Sequence, residues 1–236
     1  MYFIIPFKMD SVGRYRNLEI VIDYIKSNID CDILVSEYDI KSKIDCYKLG
    51  VNHFFTKSFT NVFNKSICVN KACNYLKDEP FLCICDADIL FNVKSINESI
   101  ESIKGEFDFS LPYNKEVYSI SADTFINSKK VFNLLPKNKL YSSSSIGGII
   151  LFKNSSFIKS GGYNEKFKGW GGEDYEFWIR INKLEFKIHR SDGCLYHINH
   201  FRFHPSRNMK QVEFNSTELD KIKEMTNSEI KNYYRI

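Results

Sequence analysis

FLCICDAD, residues 81–88, is a run of five apolar residues that stops at two carboxylates set one residue apart. Phe81 to Cys85 has the length of a buried strand, so Asp86 and Asp88 belong at its carboxyl end. The segments upstream show the same logic. Tyr2 to Phe7 is another apolar run, and Leu18, Ile20, Val21, Tyr24 and Ile25 then take helical spacing within Arg16 to Ile25. Cys31 to Val35 and Val51 to Phe55 predict further strands, with Gly50 stopping the helical stretch between them, and Asn64 to Leu76 predicts a helix. This β-then-α alternation argues for an α/β fold with a mostly parallel central sheet flanked by helices, whose ligands gather at strand ends. From about Asp108 the pattern loosens into strands and loops, and Tyr141 with the serines that follow leads into the apolar run ending at Phe152. Glu173 to Ile181 predicts a helix with acids in its first turn, Phe186 to His189 a strand, and the charged tail from Met209 a surface helix.

A chain of 236 residues suits one sizeable domain with a real core. Its 43% hydrophobic and 26% charged residues are ordinary for a globular protein, while 15% aromatic favours a stacking or sugar-binding surface. The net charge of +4 comes from scattered Lys and Arg, which argues against a nucleic-acid groove and fits a site for a small anion such as a diphosphate. Seven cysteines, an odd count without a CxxC pair, predict reduced, buried thiols rather than disulfides or a zinc finger. The opening MYFIIPF is too short for a signal peptide or a membrane span, so the expected compartment is the cytoplasm.

Three groups of residues could carry chemistry. Asp86 and Asp88 can hold a hard divalent cation through oxygen, although a strand that merely ends in a polar turn produces the same pattern. His197, His200 and His204 could add imidazole to that cation, and mixed carboxylate and imidazole ligation suits manganese better than calcium. The third group is GWGGEDYEFW, residues 169–178. Its glycines let the backbone approach a ligand closely, Trp170 offers a flat face to a sugar ring, and Glu173 or Asp174 can accept a hydroxyl proton. A glycine-rich turn whose acids complement a helix dipole is the plainer account of the same residues.

Taken in order, these motifs resemble the GT-A glycosyltransferases, specifically the C-terminal catalytic region of the β1,4-galactosyltransferase family and related bacterial chondroitin-polymerase-type domains. The resemblance rests on IIPFK at 4–8, FNKS at 63–66, CDADI at 85–89, Gly147-Gly148, GGYNEKFKGWGGEDYEF from Gly161, and HINH at 197–200. It implies one GT-A domain over 1–236, with a nucleotide-binding half over 1–105, a donor and acceptor half over 106–205 and a helical tail over 206–236. It places Pro6, Phe7 and Lys8 in the nucleotide pocket, with Arg14 or Arg16 serving the diphosphate. Phe63 and Lys65 fall beside the uracil, where lysine replaces the family's arginine and gives up its bidentate fork. Asp88 becomes a metal ligand and Asp86 its neighbour near the ribose or diphosphate. His200 matches the family's metal-binding histidine, and His197 stands where the galactosyltransferases have a methionine ligand. Other relatives have a Tyr-His pair here, which leaves Tyr196-His197 as an alternative. Gly147, Gly148, Gly171 and Gly172 line the donor sugar, Trp170 packs on donor or acceptor sugar, Asp174 is the catalytic base and Glu173 its partner acid.

The implied reaction is an inverting transfer, dependent on manganese or another divalent cation, of a hexose or N-acetylhexosamine, with galactose or N-acetylgalactosamine leading, from a UDP-sugar to a glycan or lipid-linked acceptor. Capsule or lipopolysaccharide assembly is one setting for such a reaction, with peripheral membrane contact and no nucleic-acid partner. Two other readings stand beside it. A catalytically silent sugar-binding module would keep the fold without the reaction, and a sugar nucleotidyltransferase would release pyrophosphate instead of a nucleoside diphosphate. The loop from Gly161 to Lys168 and the region after His200 are expected to close over the donor.

Overall fold

The strands pair into two sheets, of which the apolar runs predict the larger. In the computed structural model, which describes residues 1–128, 132–136, 138–141, 145–169, 171–200 and 209–236, β1 (Tyr2–Phe7), β2 (Asp32–Asp39) and β3 (Asn52–Lys57) are followed by β4 (Phe81–Cys85) and β5 (Ile89–Phe91). Further along are β6 (Phe109–Leu111), β7 (Val117–Ile120), β8 (Lys139–Tyr141), β9 (Ile149–Lys153), β10 (Ile188–Arg190) and β11 (Leu195–Ile198). The large sheet runs β10-β6-β9-β4-β1-β2-β3. Strands β4, β1, β2 and β3 are mutually parallel, as are β10 and β6, and only β9 opposes its neighbours. The expected mostly parallel sheet is therefore present. Its centre is dry on both faces: Phe3, Ile4, Ile5 and Phe7 of β1 and Leu82, Cys83, Ile84 and Cys85 of β4 are all buried, as a parallel sheet covered by helices requires.

The helices α1 (Val12–Asn28), α2 (Cys46–Leu49), α3 (Lys65–Tyr75), α4 (Val93–Lys104), α5 (Ala122–Asn127) and α6 (Asn154–Lys159) connect these strands. Ser11 caps α1 and Asn64 caps α3 by accepting backbone N–H bonds, which fixes where each helix starts relative to the preceding strand. Then comes α7 (Glu173–Lys183), with Glu173, Asp174 and Glu176 in its first turn and Arg180 and Lys183 in its last, the arrangement the helix dipole favours.

A second sheet, β5-β11-β7-β8, was not apparent from the apolar runs. Its strands are short, and its key pairing joins β5 to β11, elements about a hundred residues apart, with His197 opposite Ile89. This sheet brings the histidine segment beside the acids that end β4.

The tail forms two helices, α8 (Met209–Glu224) and α9 (Asn227–Tyr234). They hold the loop that leads into α7. Asn215 donates to the carbonyls of Lys168 at 3.0 Å and Gly171 at 2.9 Å, and Asn164 donates to Glu218 at 3.1 Å. From α9, Tyr234 donates to Glu176 at 2.8 Å, and its ring lies 3.9 Å from the Arg180 guanidinium. Arg180 is fully buried, pairs with Glu176 at 2.7 Å and donates to the carbonyls of Ser160 and Gly162. No helix among the described residues is long and apolar enough to cross a membrane.

Candidate active site

The carboxyl ends of β1 and β4, the start of α3, the Gly147-Gly148 turn, the first turn of α7 and the end of β11 surround one cleft of about 270 Å³. At its floor, Ile198 donates its N–H to the Asp88 carbonyl at 2.8 Å, which locks β11 to the end of β4. Asn17 on α1 donates to the Ile198 carbonyl at 3.0 Å and Ser119 to the Asn199 side chain at 2.7 Å, so the histidine segment is held from two sides. The result is a compact donor set. Nε2 of His200 lies 3.1 Å and Nε2 of His197 3.7 Å from Oδ2 of Asp88, and one ligand atom from each residue falls within 4.8 Å of the others. Burial opposes the Asp88 charge, but the His200 hydrogen bond and the His197 and Arg14 charges outweigh it and hold the carboxyl well below its ordinary range. One carboxylate oxygen and two imidazole nitrogens fit a manganese-like ion better than calcium, which prefers six or more oxygens. Tyr196, by contrast, is buried and donates to the Leu135 carbonyl at 3.2 Å.

Across the cleft sits a second charged group. Asp174 receives Nζ of Lys65 at 3.1 and 3.0 Å on its two oxygens and the Tyr163 hydroxyl at 3.0 Å on Oδ1. Lys65 also reaches Oδ1 of Asp86 at 2.9 Å. Burial alone would discharge Lys65, yet Asp174 and Asp86 reverse the balance and raise its pKa well above the ordinary value. Burial raises Asp86 to about 6, with Lys65 pulling against it and Asp174 adding to the rise. Burial followed by the Asp174 charge pushes Glu173 up to about 7. Acid–base chemistry near neutrality therefore has two carboxyls, Asp86 and Glu173, to draw on in one cleft.

Comparison with known proteins bears on both groups. The family model described as the N-terminal domain of galactosyltransferase matches residues 130–205, which include β11 and α7. β1,4-Galactosyltransferase 7 of Drosophila melanogaster is 30% identical over 88 residues, a segment covering 34% of this chain and 27% of that protein. The chain thus matches about a quarter of that relative's length. A crystal structure of a variant of the Drosophila β1,4-galactosyltransferase 7 with manganese, UDP-Gal and xylobiose superposes with a TM-score of 0.56 at 19% identity, covering 90% of this chain and 78% of that one. GalNAc-T7 with UDP, GalNAc and Mn2+ superposes at 0.61 and 11% identity, covering 99% and 54%. The chain has a GT-A glycosyltransferase fold and resembles the β1,4-galactosyltransferases.

Within this GT-A fold the residues singled out from sequence do not all reach the cleft. Pro6, Lys8, Arg14, Phe63, Lys65, Asp86, Asp88, Gly147, Gly148, Glu173, Asp174, His197 and His200 line it. Phe7 is fully buried beneath it, because alternate residues of a strand point to opposite faces. Of the two arginines, Arg14 faces the cleft, 5.9 Å from the Phe7 ring and 6.0 Å from the Phe63 ring, whereas Arg16 is half-exposed and pairs with Asp123 at 2.7 Å. Gly171 and Gly172 are not among the lining residues. Gly172 instead opens α7 at φ 97°, where a Cβ would meet the Phe167 ring at 2.7 Å, so it serves the turn into the helix. Trp170, His204 and the segment directly after His200 lie outside the described residues.

Two residues near the charged groups were missed in the sequence reading. Tyr163 sits inside the quoted GGYNEKF motif, but nothing in its spacing points to Asp174, eleven residues on. Asp39 ends β2 and anchors Lys8 at 2.7 Å while also pairing with Lys43 at 2.7 Å. Its position after an apolar strand was the available signal.

Proposed function

We propose that the chain is a metal-dependent, inverting glycosyltransferase that moves a hexose or N-acetylhexosamine, with galactose or N-acetylgalactosamine leading, from a UDP-sugar to a glycan hydroxyl. The observation that carries this reading is one cleft with the Asp88, His197 and His200 donor set on one wall and Asp174 on the other. A divalent cation bound at that donor set would supply positive charge to the leaving diphosphate. Asp88, His197 and His200 would hold it, and Arg14 and Lys8, which also line the cleft, would add positive charge beside it. Asp174 accepts the acceptor hydroxyl proton while the acceptor oxygen bonds to the anomeric carbon and the bond from that carbon to the diphosphate oxygen breaks. Attack from the face opposite the diphosphate inverts the anomeric centre. The UDP-Gal and UDP with GalNAc held by the two structural neighbours support UDP-sugar as the donor class.

The test is nucleoside-diphosphate release from a panel of UDP- and GDP-sugars with a mixture of oligosaccharide acceptors, in manganese or in chelator. Manganese-dependent release from a UDP-sugar is expected, and Asp174→Asn should lower its rate by about 10²- to 10⁴-fold, the scale of general-base catalysis. Release of pyrophosphate would point to a nucleotidyltransferase. UDP binding without any release would point to a silent module.

A further inference from the structure

We propose that Lys65 is a positioning residue for Asp174, tying the acid that ends β4 to the acid that begins α7, rather than a ligand of the nucleotide. This rests on the glycosyltransferase reading of the cleft. Three carboxylate oxygens surround Nζ: Asp86 Oδ1 at 2.9 Å and Asp174 Oδ2 and Oδ1 at 3.0 and 3.1 Å. An ammonium has three N–H donors: the Asp86 oxygen takes one and the two adjacent oxygens of Asp174 share another, so two carboxylates already match the Lys65 charge within the protein. The Lys65 side chain lies in the wall of the cleft and is only 9% exposed, packed against the two carboxylates it pairs with.

Its location in the chain adds to the argument. Lys65 is the first residue of α3, where a helix dipole disfavours a cation, and it is buried, where water cannot offset the charge. Both penalties are tolerated because two carboxylates face it. The start of α3 is fixed in turn. Asn64 accepts from the Ile67 N–H at 2.9 Å and donates to the Glu165 carbonyl at 2.9 Å, which pins α3 to the loop carrying Tyr163. Lys65 and Tyr163 thus restrain the same carboxylate from two elements.

The geometry they impose is narrow. Oδ2 of Asp174 occupies space that only a glycine at 147 leaves open, since a Cβ there would lie 2.3 Å from it. With Lys65 in place, Asp174 stays at the Gly147 wall, and the β4 end carrying Asp86 and Asp88 is held in register with it. The link joins the donor side of the cleft to the proton acceptor through one side chain.

The experiment compares wild type with Lys65→Met, which keeps the length and removes the charge, and Lys65→Arg, which keeps the charge. Crystal structures of wild type and Lys65→Met come first, because they require neither donor nor turnover. The Asp174 carboxylate should leave the space beside Gly147 in the variant, and a carboxylate that stays in place overturns the proposal. If Lys65→Met does not fold, Lys65→Gln takes its place in the same comparison. Calorimetric titration with UDP and manganese should then give affinities within about threefold of wild type, while the transfer rate at saturating donor falls about 10²-fold, the usual effect of misplacing a reacting group by about 1 Å. Lys65→Arg should recover at least part of that rate. A loss of UDP affinity of tenfold or more with the rate retained would show that Lys65 grips the nucleotide and overturn the proposal. Should wild type transfer no sugar at all, the glycosyltransferase reading fails, while the two crystal structures still decide the role of Lys65.

Discussion

Gly147→Ala adds a single methyl group and should disable the cleft. A Cβ built on Gly147 lies 2.3 Å from Asp174 Oδ2, 3.0 Å from its Cγ and 3.3 Å from its Cβ. Ordinary contact begins near 3.4 Å, so the carboxylate oxygen must retreat by about 1 Å. It cannot do so freely, because Lys65 holds Oδ2 at 3.0 Å and Oδ1 at 3.1 Å, while Tyr163 holds Oδ1 at 3.0 Å. The backbone at Gly147, unlike that at Gly148 with φ 95°, is not in the left-handed region, so alanine brings no conformational strain and the contact with Asp174 is isolated. A displacement of about 1 Å at a proton acceptor corresponds to about a 10²-fold loss in rate. The assay is initial-rate transfer with the best UDP-sugar, alongside thermal melting and UDP–manganese titration to show that fold and nucleotide site persist. In a double-mutant cycle with Asp174→Ala the two losses should be strongly non-additive, since the methyl then has nothing to displace. Transfer by Gly147→Ala within threefold of wild type, or additive losses in the cycle, would refute the argument.

Asp88→Ala should abolish the manganese dependence of UDP binding, so that titrations with manganese and with chelator coincide; a retained difference would place the metal elsewhere. Arg180→Met should be strongly destabilising, because it leaves Glu176 buried without its cation. Breaking such a pair costs about 3–5 kcal/mol, or about 10 °C in melting temperature for a chain this long, and a second change, Glu176→Leu, should restore part of it. Glu173 gives a pH prediction. Its pKa is raised from an ordinary 4.5 to about 7, chiefly by burial and then by Asp174, so the folded protein holds this proton more tightly than the unfolded chain. The associated stability is complete below pH 4.5 and is lost as pH rises through 7. The advantage of Glu173→Gln over wild type in melting temperature should therefore widen across that window, and a constant difference would contradict the assignment.

Much of the scaffold in the first half of the chain was legible because it is local. The run ending at Cys85 became β4, the run from Tyr2 became β1, and the helix expected from Asn64 became α3 with Asn64 as its cap. Burial on both faces writes a continuous apolar stretch into a central parallel strand, and a capping side chain acts within three residues of its helix. The short strands were harder to see. β5, β6 and β10 have three residues each, too few to establish a period, and the expected strand at Phe186 to His189 appears shifted to Ile188–Arg190. The tail read as a charged surface helix, but it forms two helices whose buried contacts, from Asn215, Glu218, Ile230 and Tyr234, fall on few positions among many charges.

By itself, then, the sequence determined the residue types available for chemistry and two of the local elements that carry them: acids at the end of an apolar strand and acids in the first turn of α7, whereas β11, which contains His197, was not foreseen. Only the tertiary structure decided which of these meet. His197 reaches Asp88 because β11 pairs with β5, and Lys65 reaches Asp174 across 109 positions because α3 and α7 converge on the Gly147 turn. Arg14 rather than Arg16 faces the cleft because two positions along α1 rotate a side chain by about 200°. Pattern along a chain reports how each segment is buried, whereas the distance between two charges depends on how separate segments pack, and no local period encodes that.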